Sequence, residues 1–232
     1  MNVSLFRTFS FDAAHENRSA QATERTGRLH GHTYEATVWV SGELDQHLGW
    51  LIDFADVKSN CKPIIDQLDH RLLNDIDGIN DSSLADVRHW LESRLAPVQP
   101  GFKRCEISIV GDRRYAPKQE DRGELITVHF GLEAAHYLPH LPPTHKCRRM
   151  HGHSYMLDIL TADTERTIAA AGSIYSLLDH TSLNDIDGLS NPTAEMLARW
   201  VWRRLQSENV SIQEVGVRET CMMGCVYRGE DE

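Results

Sequence analysis

Six histidines in this chain fall into one pattern written twice. His15, His30 and His32 read H-x14-H-x-H, and His136, His151 and His153 repeat that spacing. Residues two apart on a strand project from one face, so each H-G-H pair offers two imidazoles together. His15 and His136 end the strands that precede them, where an antiparallel partner brings them against the pair. Three neutral imidazoles with a fourth position left open are the ligand set of a catalytic zinc, whereas structural zinc is usually four-coordinate and rich in cysteine. An isolated H-x-H pair is a weak metal signal, and its duplication with the same third histidine strengthens it. The intervening Gly31 allows a neighbouring backbone to approach closely.

Other reactive groups lie near the second set. Cys147 stands four residues before His151, flanked by Lys146, Arg148 and Arg149. Positive neighbours favour a thiolate, so a low thiol pKa and a role as base or nucleophile are expected. Cys61 and Cys105 sit in apolar-periodic segments and read as packing residues, as do Cys221 and Cys225. Asp69-His70 and Asp179-His180 each follow a helical segment. A carboxylate beside a histidine suits proton transfer, although adjacent residues rarely bond each other directly. Glu219 closes a strand, where a solvent-facing carboxylate is the simplest expectation.

The elements that position these groups are duplicated too. "FSFDAAHE" (Phe9–Glu16) matches "FGLEAAHY" (Phe130–Tyr137), "RLHGHTYE" matches "RMHGHSYM", and "LDHRLLNDIDGI" matches "LDHTSLNDIDGL". The chain is therefore two copies of one unit, 1–117 and 123–232, joined near the polar stretch "APKQEDRGE". Between H-G-H and Leu-Asp-His the second copy is about eleven residues shorter and has no counterpart of "GWLIDFADVK". "HTYEATVWVSGE" alternates Tyr34, Ala36, Val38 and Val40 and predicts a strand. "FADVKSNCKPIIDQL" is apolar at helical spacing. "SSLADVRHWLESRL" carries the stripe Leu84, Val87, Leu91, Leu95, with Asp81 or Ser82 as N-cap. "SNPTAEMLARWVWRRL" repeats that helix, with Asn191 as cap and Pro192 at its first position. The unit reads as α+β, an antiparallel sheet with helices packed on one face.

Bulk properties bound the function. The chain has 232 residues, 41% hydrophobic and 25% charged, with a net charge of −10. That argues against a general nucleic-acid binder, which needs a basic face. No apolar run approaches a membrane span, and the N-terminus lacks a signal-peptide pattern. Five scattered cysteines make no disulfide framework, so a cytoplasmic setting with reduced thiols is expected.

Taken together, "EAAHYLPHLPPTHKCRRMHGH", "LLDHTSLNDIDGLSNPTAEMLARW" and "VRETCMMGCVYRGE" resemble the 6-pyruvoyltetrahydropterin synthase superfamily. The second half resembles its 6-carboxy-5,6,7,8-tetrahydropterin synthase (QueD) branch most closely, on the C-x3-H-G-H spacing at Cys147. "FDAAH", "RLHGH", "GWLIDFADVK" and "LDHRLLND" carry the resemblance in the first half. It implies two tandem T-fold domains and an oligomer whose sheets close into stacked barrels, with sites between subunits. Three chains would supply six T-fold units. It implies a zinc lyase acting on a small-molecule pterin triphosphate, 7,8-dihydroneopterin triphosphate, on the route to queuosine and other deazapurines. By the same resemblance His136, His151 and His153 hold Zn2+, Cys147 is the base, Asp179 and His180 form the acid/base unit, and Glu219 anchors the pterin. His15, His30 and His32 match the metal triad in the first half, and Asp69 and His70 its acid/base pair.

The halves depart from the pattern in complementary ways. Thr26 stands where Cys147 stands in the second copy, and Gly111 falls where Glu219 is expected. Two arrangements stay open for a single working site. Either the second half is self-sufficient beside a structural first half, or Asp69-His70 serves the Cys147 site across an interface. A decayed pterin-binding or structural zinc module, 6-pyruvoyltetrahydropterin synthase activity and an unrelated zinc hydrolase are the alternatives.

Overall fold

The structure, a computed structural model, describes residues 2–18, 25–45, 47–48, 50–111, 124–220 and 223–229. The joint expected near Ala116–Glu124 therefore lies almost wholly outside the described residues. The first copy runs β1 (Asn2–His15), β2 (His30–Glu43), α1 (Phe54–Ile65), β3 (Arg71–Leu72), α2 (Leu84–Leu95) and β4 (Phe102–Ile109). The second runs β5 (Ile126–His136), β6 (His151–Thr161), α3 (Thr164–Leu178), β7 (Thr181–Ser182), α4 (Ala194–Ser207), β8 (Ile212–Thr220) and β9 (Met223–Tyr227). The sheets have orders β3-β1-β2-β4 and β7-β5-β6-β8-β9. Both are antiparallel except where the two-residue β3 and β7 run parallel to β1 and β5. This is the expected α+β architecture, two tandem T-fold units.

Each copy buries a core of its own. Tyr34, Ala36, Val38 and Val40 all point inward, as their alternation predicts, and pack with Val57, Cys61, Ile65 and Leu68 beneath α1. Tyr155, Leu157 and Ile159 meet Ile174, Leu197 and Val201 in the same way. In α2, Val87, Leu91 and Leu95 are buried with Trp90, but Leu84 at the helix start is exposed. No helix among the described residues is long and apolar enough to cross a membrane.

Three local expectations need correction. The cap of α2 is Ser83, whose side chain accepts from the Asp86 amide, and that of α4 is Thr193, which accepts from Met196. Both lie beyond the candidates Asp81, Ser82 and Asn191; Ser82, with a left-handed backbone (φ 52°), faces His15, and the Pro192 carbonyl faces His136. Pro192 thus lies outside the helix. The shorter second copy still has a helix after its long strand. What it lacks is the connection, since α3 starts at once after its cap Asp163, which accepts from the Arg166 amide.

The copies meet where β1, β2, β5 and β6 converge. At that end β2 is buried on both faces from His30 to Tyr34, and β6 from His151 to Leu157. Gly31 is the contact point. A Cβ built there would stand 2.3 Å from the Gly152 Cα, and one on Gly152 would stand 2.4 Å from the Gly31 Cα. The neighbouring backbone that Gly31 admits belongs to the other copy.

Candidate active site

Strand register places the histidine triads. His15 pairs with His30 and Ala13 with His32, while His136 pairs with His151 and Ala134 with His153. Each triad is buried, and its donor nitrogens lie within 4.8 Å of one another. The Nδ1 atoms are already engaged. His15 Nδ1 lies 3.3 Å from Ser82 Oγ and His30 Nδ1 2.7 Å from the Arg28 carbonyl. In the second copy His136 Nδ1 meets the Pro192 carbonyl at 2.9 Å and His151 Nδ1 the Arg149 carbonyl at 2.7 Å. With Nδ1 held, Nε2 is the nitrogen left to converge. His136 Nε2 is buried with no hydrogen-bond partner among the described residues, the condition of an atom placed for an ion. The residues fit a divalent metal of the zinc type in both copies.

Burial keeps these imidazoles neutral, the form that binds metal. It is the first cause holding His15, His32 and His136 down to about 3 and His30 to about 2, with neighbouring histidines adding repulsion. His151 is pushed down in the same way. His153 is the exception. Burial lowers it, but Asp12, 3.2 Å from its Nδ1, raises it past its ordinary value.

The Asp-His pairs cross over. His70 of the first copy stacks on His151 of the second, ring centroids 4.3 Å apart, and its nitrogen lies within 4.8 Å of Cys147 Sγ and a His151 nitrogen. His180 of the second copy stacks instead on His30, centroids 4.2 Å apart. The Asp-His pair beside Cys147 is therefore Asp69-His70, and Asp179-His180, expected there, lies beside the first triad instead. The crossover follows from the meeting of the copies end to end, which points each Asp-His loop at the opposite triad.

The neighbours in each pair do bond directly, contrary to expectation. His70 Nδ1 lies 2.9 Å from Asp69 Oδ1 and His180 Nδ1 2.8 Å from Asp179 Oδ2. Left-handed backbones at His70 (φ 54°) and His180 (φ 55°) turn the rings back toward the preceding carboxylates. The amide of His70 donates to the Asp12 carbonyl at 2.6 Å and that of His180 to the Glu133 carbonyl at 2.7 Å, which hold this strained geometry. Burial alone would raise the Asp69 carboxyl, but His70, the Asp12 amide and Lys146 hold it well below the usual carboxylate range. Asp179 is lowered similarly, against its burial, by His180 and the Glu133 amide.

The environment of Cys147 overturns one expectation. Its thiol is raised, first by burial and then by Glu219, Asp69 and Asp12, with Lys146 alone opposing. The two arginines are occupied elsewhere. Arg148 donates to the carbonyls of Pro139 and Leu141, and Arg149 to that of His70. Lys146 reaches Asp69 at 3.2 Å, and its counterpart Arg25 reaches Asp179 at 3.3 Å. Glu219 is half-buried rather than solvent-facing; burial raises its carboxyl and His153 opposes. Cys61 and Cys105 are buried, with thiols pushed up to about 11 and about 12, and Cys225 is half-buried at about 11. Cys221 lies outside the described residues.

A model of the family described as 6-pyruvoyl tetrahydropterin synthase matches residues 4–113 and again 125–230. The chain belongs to this family. A relative named 6-carboxy-5,6,7,8-tetrahydropterin synthase, from Synechocystis sp., is 34% identical over 120 residues, covering 44% of this chain and 92% of its own. One named dihydroneopterin monophosphate aldolase, from Pyrococcus furiosus, is 33% identical over 101 residues, 44% of this chain and 82% of its own. The solved 6-pyruvoyl tetrahydropterin synthase of Caenorhabditis elegans aligns at 24% identity and TM-score 0.43, over 47% of this chain and 89% of that one. These family members extend over about one copy of the duplicated unit.

Sequence reasoning passed over Asp12 and Glu133. They occupy equivalent places in "FDAAH" and "LEAAH", three residues before the first histidine of each triad. The repeat carried that signal, but only the docking of the copies shows what their carboxylates face.

Proposed function

We propose that the chain is a zinc-dependent lyase of the 6-carboxy-5,6,7,8-tetrahydropterin synthase type, acting on 7,8-dihydroneopterin triphosphate with one working site per chain. The observation that carries this reading is the meeting of His70 from one copy with Cys147 and His151 from the other. Cys147, as thiolate, takes a proton from the substrate's side-chain carbon. Asp69-His70 holds and returns protons on the opposite side, its imidazole oriented by the carboxylate. Glu219 accepts the paired N–H donors of the amino-pyrimidine edge. A zinc ion on His136, His151 and His153 would polarise the side-chain oxygens and stabilise developing negative charge. The first copy keeps its triad but offers Thr26 in place of the thiol, and strand register puts Ile109, not Gly111, in place of the anchor, so its site does not run the reaction.

The test measures acetaldehyde release from 7,8-dihydroneopterin triphosphate together with bound zinc. Asp69→Asn should lower turnover on the order of 100-fold, the scale of a lost general acid/base, while Asp179→Asn leaves it within a few-fold. The opposite pattern overturns the assignment. The similarity to the archaeal aldolase supports a second reading, cleavage of a dihydroneopterin phosphate without acetaldehyde release, and identification of the products decides between them. For assembly, we propose a homo-oligomer of three chains. β1 pairs with β3 only at Ala13 and Ala14, which leaves a long strand edge for another chain.

A further inference from the structure

The two triads are joined through the contact between the copies by a chain of hydrogen bonds that ends, at the second triad, in an ion-pair contact. His32 Nδ1 lies 2.7 Å from Glu133 Oε2, in the other copy. That same oxygen accepts from Ser154 Oγ at 2.7 Å. The Thr33 amide donates to Ser154 Oγ at 3.2 Å, and the Ser154 amide donates to Thr33 Oγ1 at 3.4 Å. Thr33 Oγ1 donates to Asp12 Oδ1 at 2.7 Å, and Asp12 Oδ1 lies 3.2 Å from His153 Nδ1, again across the contact. The two ends use equivalent residues, with a hydrogen bond at His32 and a longer ion-pair contact at His153. His32 matches His153, Thr33 matches Ser154 and Asp12 matches Glu133 in the repeat.

This circuit fixes tautomers. An ionised carboxylate accepts and does not donate. Each hydroxyl already donates to the carboxylate of its own copy. The imidazole facing that carboxylate must then bring the proton on Nδ1, which leaves the Nε2 lone pair for a metal. Asp12 meets the third ligand of the second triad, and Glu133 that of the first.

We propose that Asp12 and Glu133 are cross-copy positioning residues, each setting the orientation and tautomer of a metal-binding histidine in the opposite copy. Each triad is then completed only when the copies are docked. The inference rests on the metal reading above but concerns residues outside the triads and the acid/base pairs.

Zinc affinity, measured by chelator competition in the full chain, tests it site by site. His30→Ala with His32→Ala leaves the second triad alone; His136→Ala with His151→Ala leaves the first. Asp12→Ala should weaken zinc binding at the second triad by roughly 10–100-fold and leave the first unchanged. Glu133→Ala should do the reverse. Asp12→Asn and Glu133→Gln keep the shape and a neutral acceptor, and should retain most of the affinity. A general role at the contact would lower both sites together with either variant, and that result overturns the proposal, as does no change at either site. Ring-nitrogen NMR of the metal-free protein gives a separate readout. His153 should carry its proton on Nδ1 in the parent and lose that preference in Asp12→Ala. An unchanged His153 signal overturns the proposal even if the parent binds no zinc, and an absence of zinc binding by itself overturns only the metal reading.

Discussion

At the scale of single residues the number of working sites rests, on the proposed reading, on the thiol and its counterpart. Cys147 is raised by burial and by three carboxylates, with Lys146 as the opposing charge. Removing that charge should raise it further. Lys146→Met is expected to slow alkylation of Cys147 by iodoacetamide at mildly alkaline pH, read by mass spectrometry, because the thiolate is the reacting form. A faster reaction would mean that the lysine does not face the thiol. On the proposed reading Cys147→Ala abolishes acetaldehyde release while zinc stays bound. Thr26→Cys alone should not create a second working site. The first copy would then have a thiol, a triad and Asp179-His180, but Ile109, in the register position of Glu219, offers no carboxylate for the proposed pterin edge. A doubling of turnover per chain in that variant would show the anchor to be dispensable.

Elements explain why the triads were legible and the placement of the Asp-His pairs was not. A period of two on β2 and β6, with β1 and β5 antiparallel to them, is enough to gather three histidines from their spacing. The helices were legible for the same local reason, although their caps lay past the expected residues because Ser82 and Pro192 serve His15 and His136 instead. The left-handed turns at His70 and His180 left no local mark, since neither residue is glycine. The exchange of Asp-His pairs left none either, because it is set by the docking of the copies. Glycine did mark the contact. Gly152→Ala should force the strands apart against the Gly31 Cα and the Ala134 carbonyl, 2.5 Å from the new atom. A loss of about 1–3 kcal/mol, typical of overpacking, is expected in chemical denaturation. An unchanged midpoint would mean that the strands separate freely there.

For the whole molecule, the two copies keep five neutral histidines buried around their contact, and this sets its response to acid. The imidazoles of His15, His30, His32 and His136 titrate at about 2 to 3 when folded, and His151 is lowered as well. Unfolded, each would titrate near its ordinary value of about 6.5. Between those limits the unfolded chain binds more protons, so stability rises with pH there and is lost as pH falls below about 6.5. Each group contributes at most about 1.4 kcal/mol per pH unit. His153 acts in the opposite sense, since its folded pKa is raised, but it is one group against five. The lowered carboxylates Asp12, Asp69 and Asp179 add their own loss only below about pH 4, their unfolded range. The metal-free protein should therefore lose stability steeply from pH 6.5 to pH 4.5, read as a falling urea midpoint. Saturating zinc should move the loss to lower pH, because metal binding also requires neutral imidazoles and adds its binding energy to the folded state alone. A midpoint independent of pH across that window, with or without zinc, would show that these five histidines are not held neutral at a common contact.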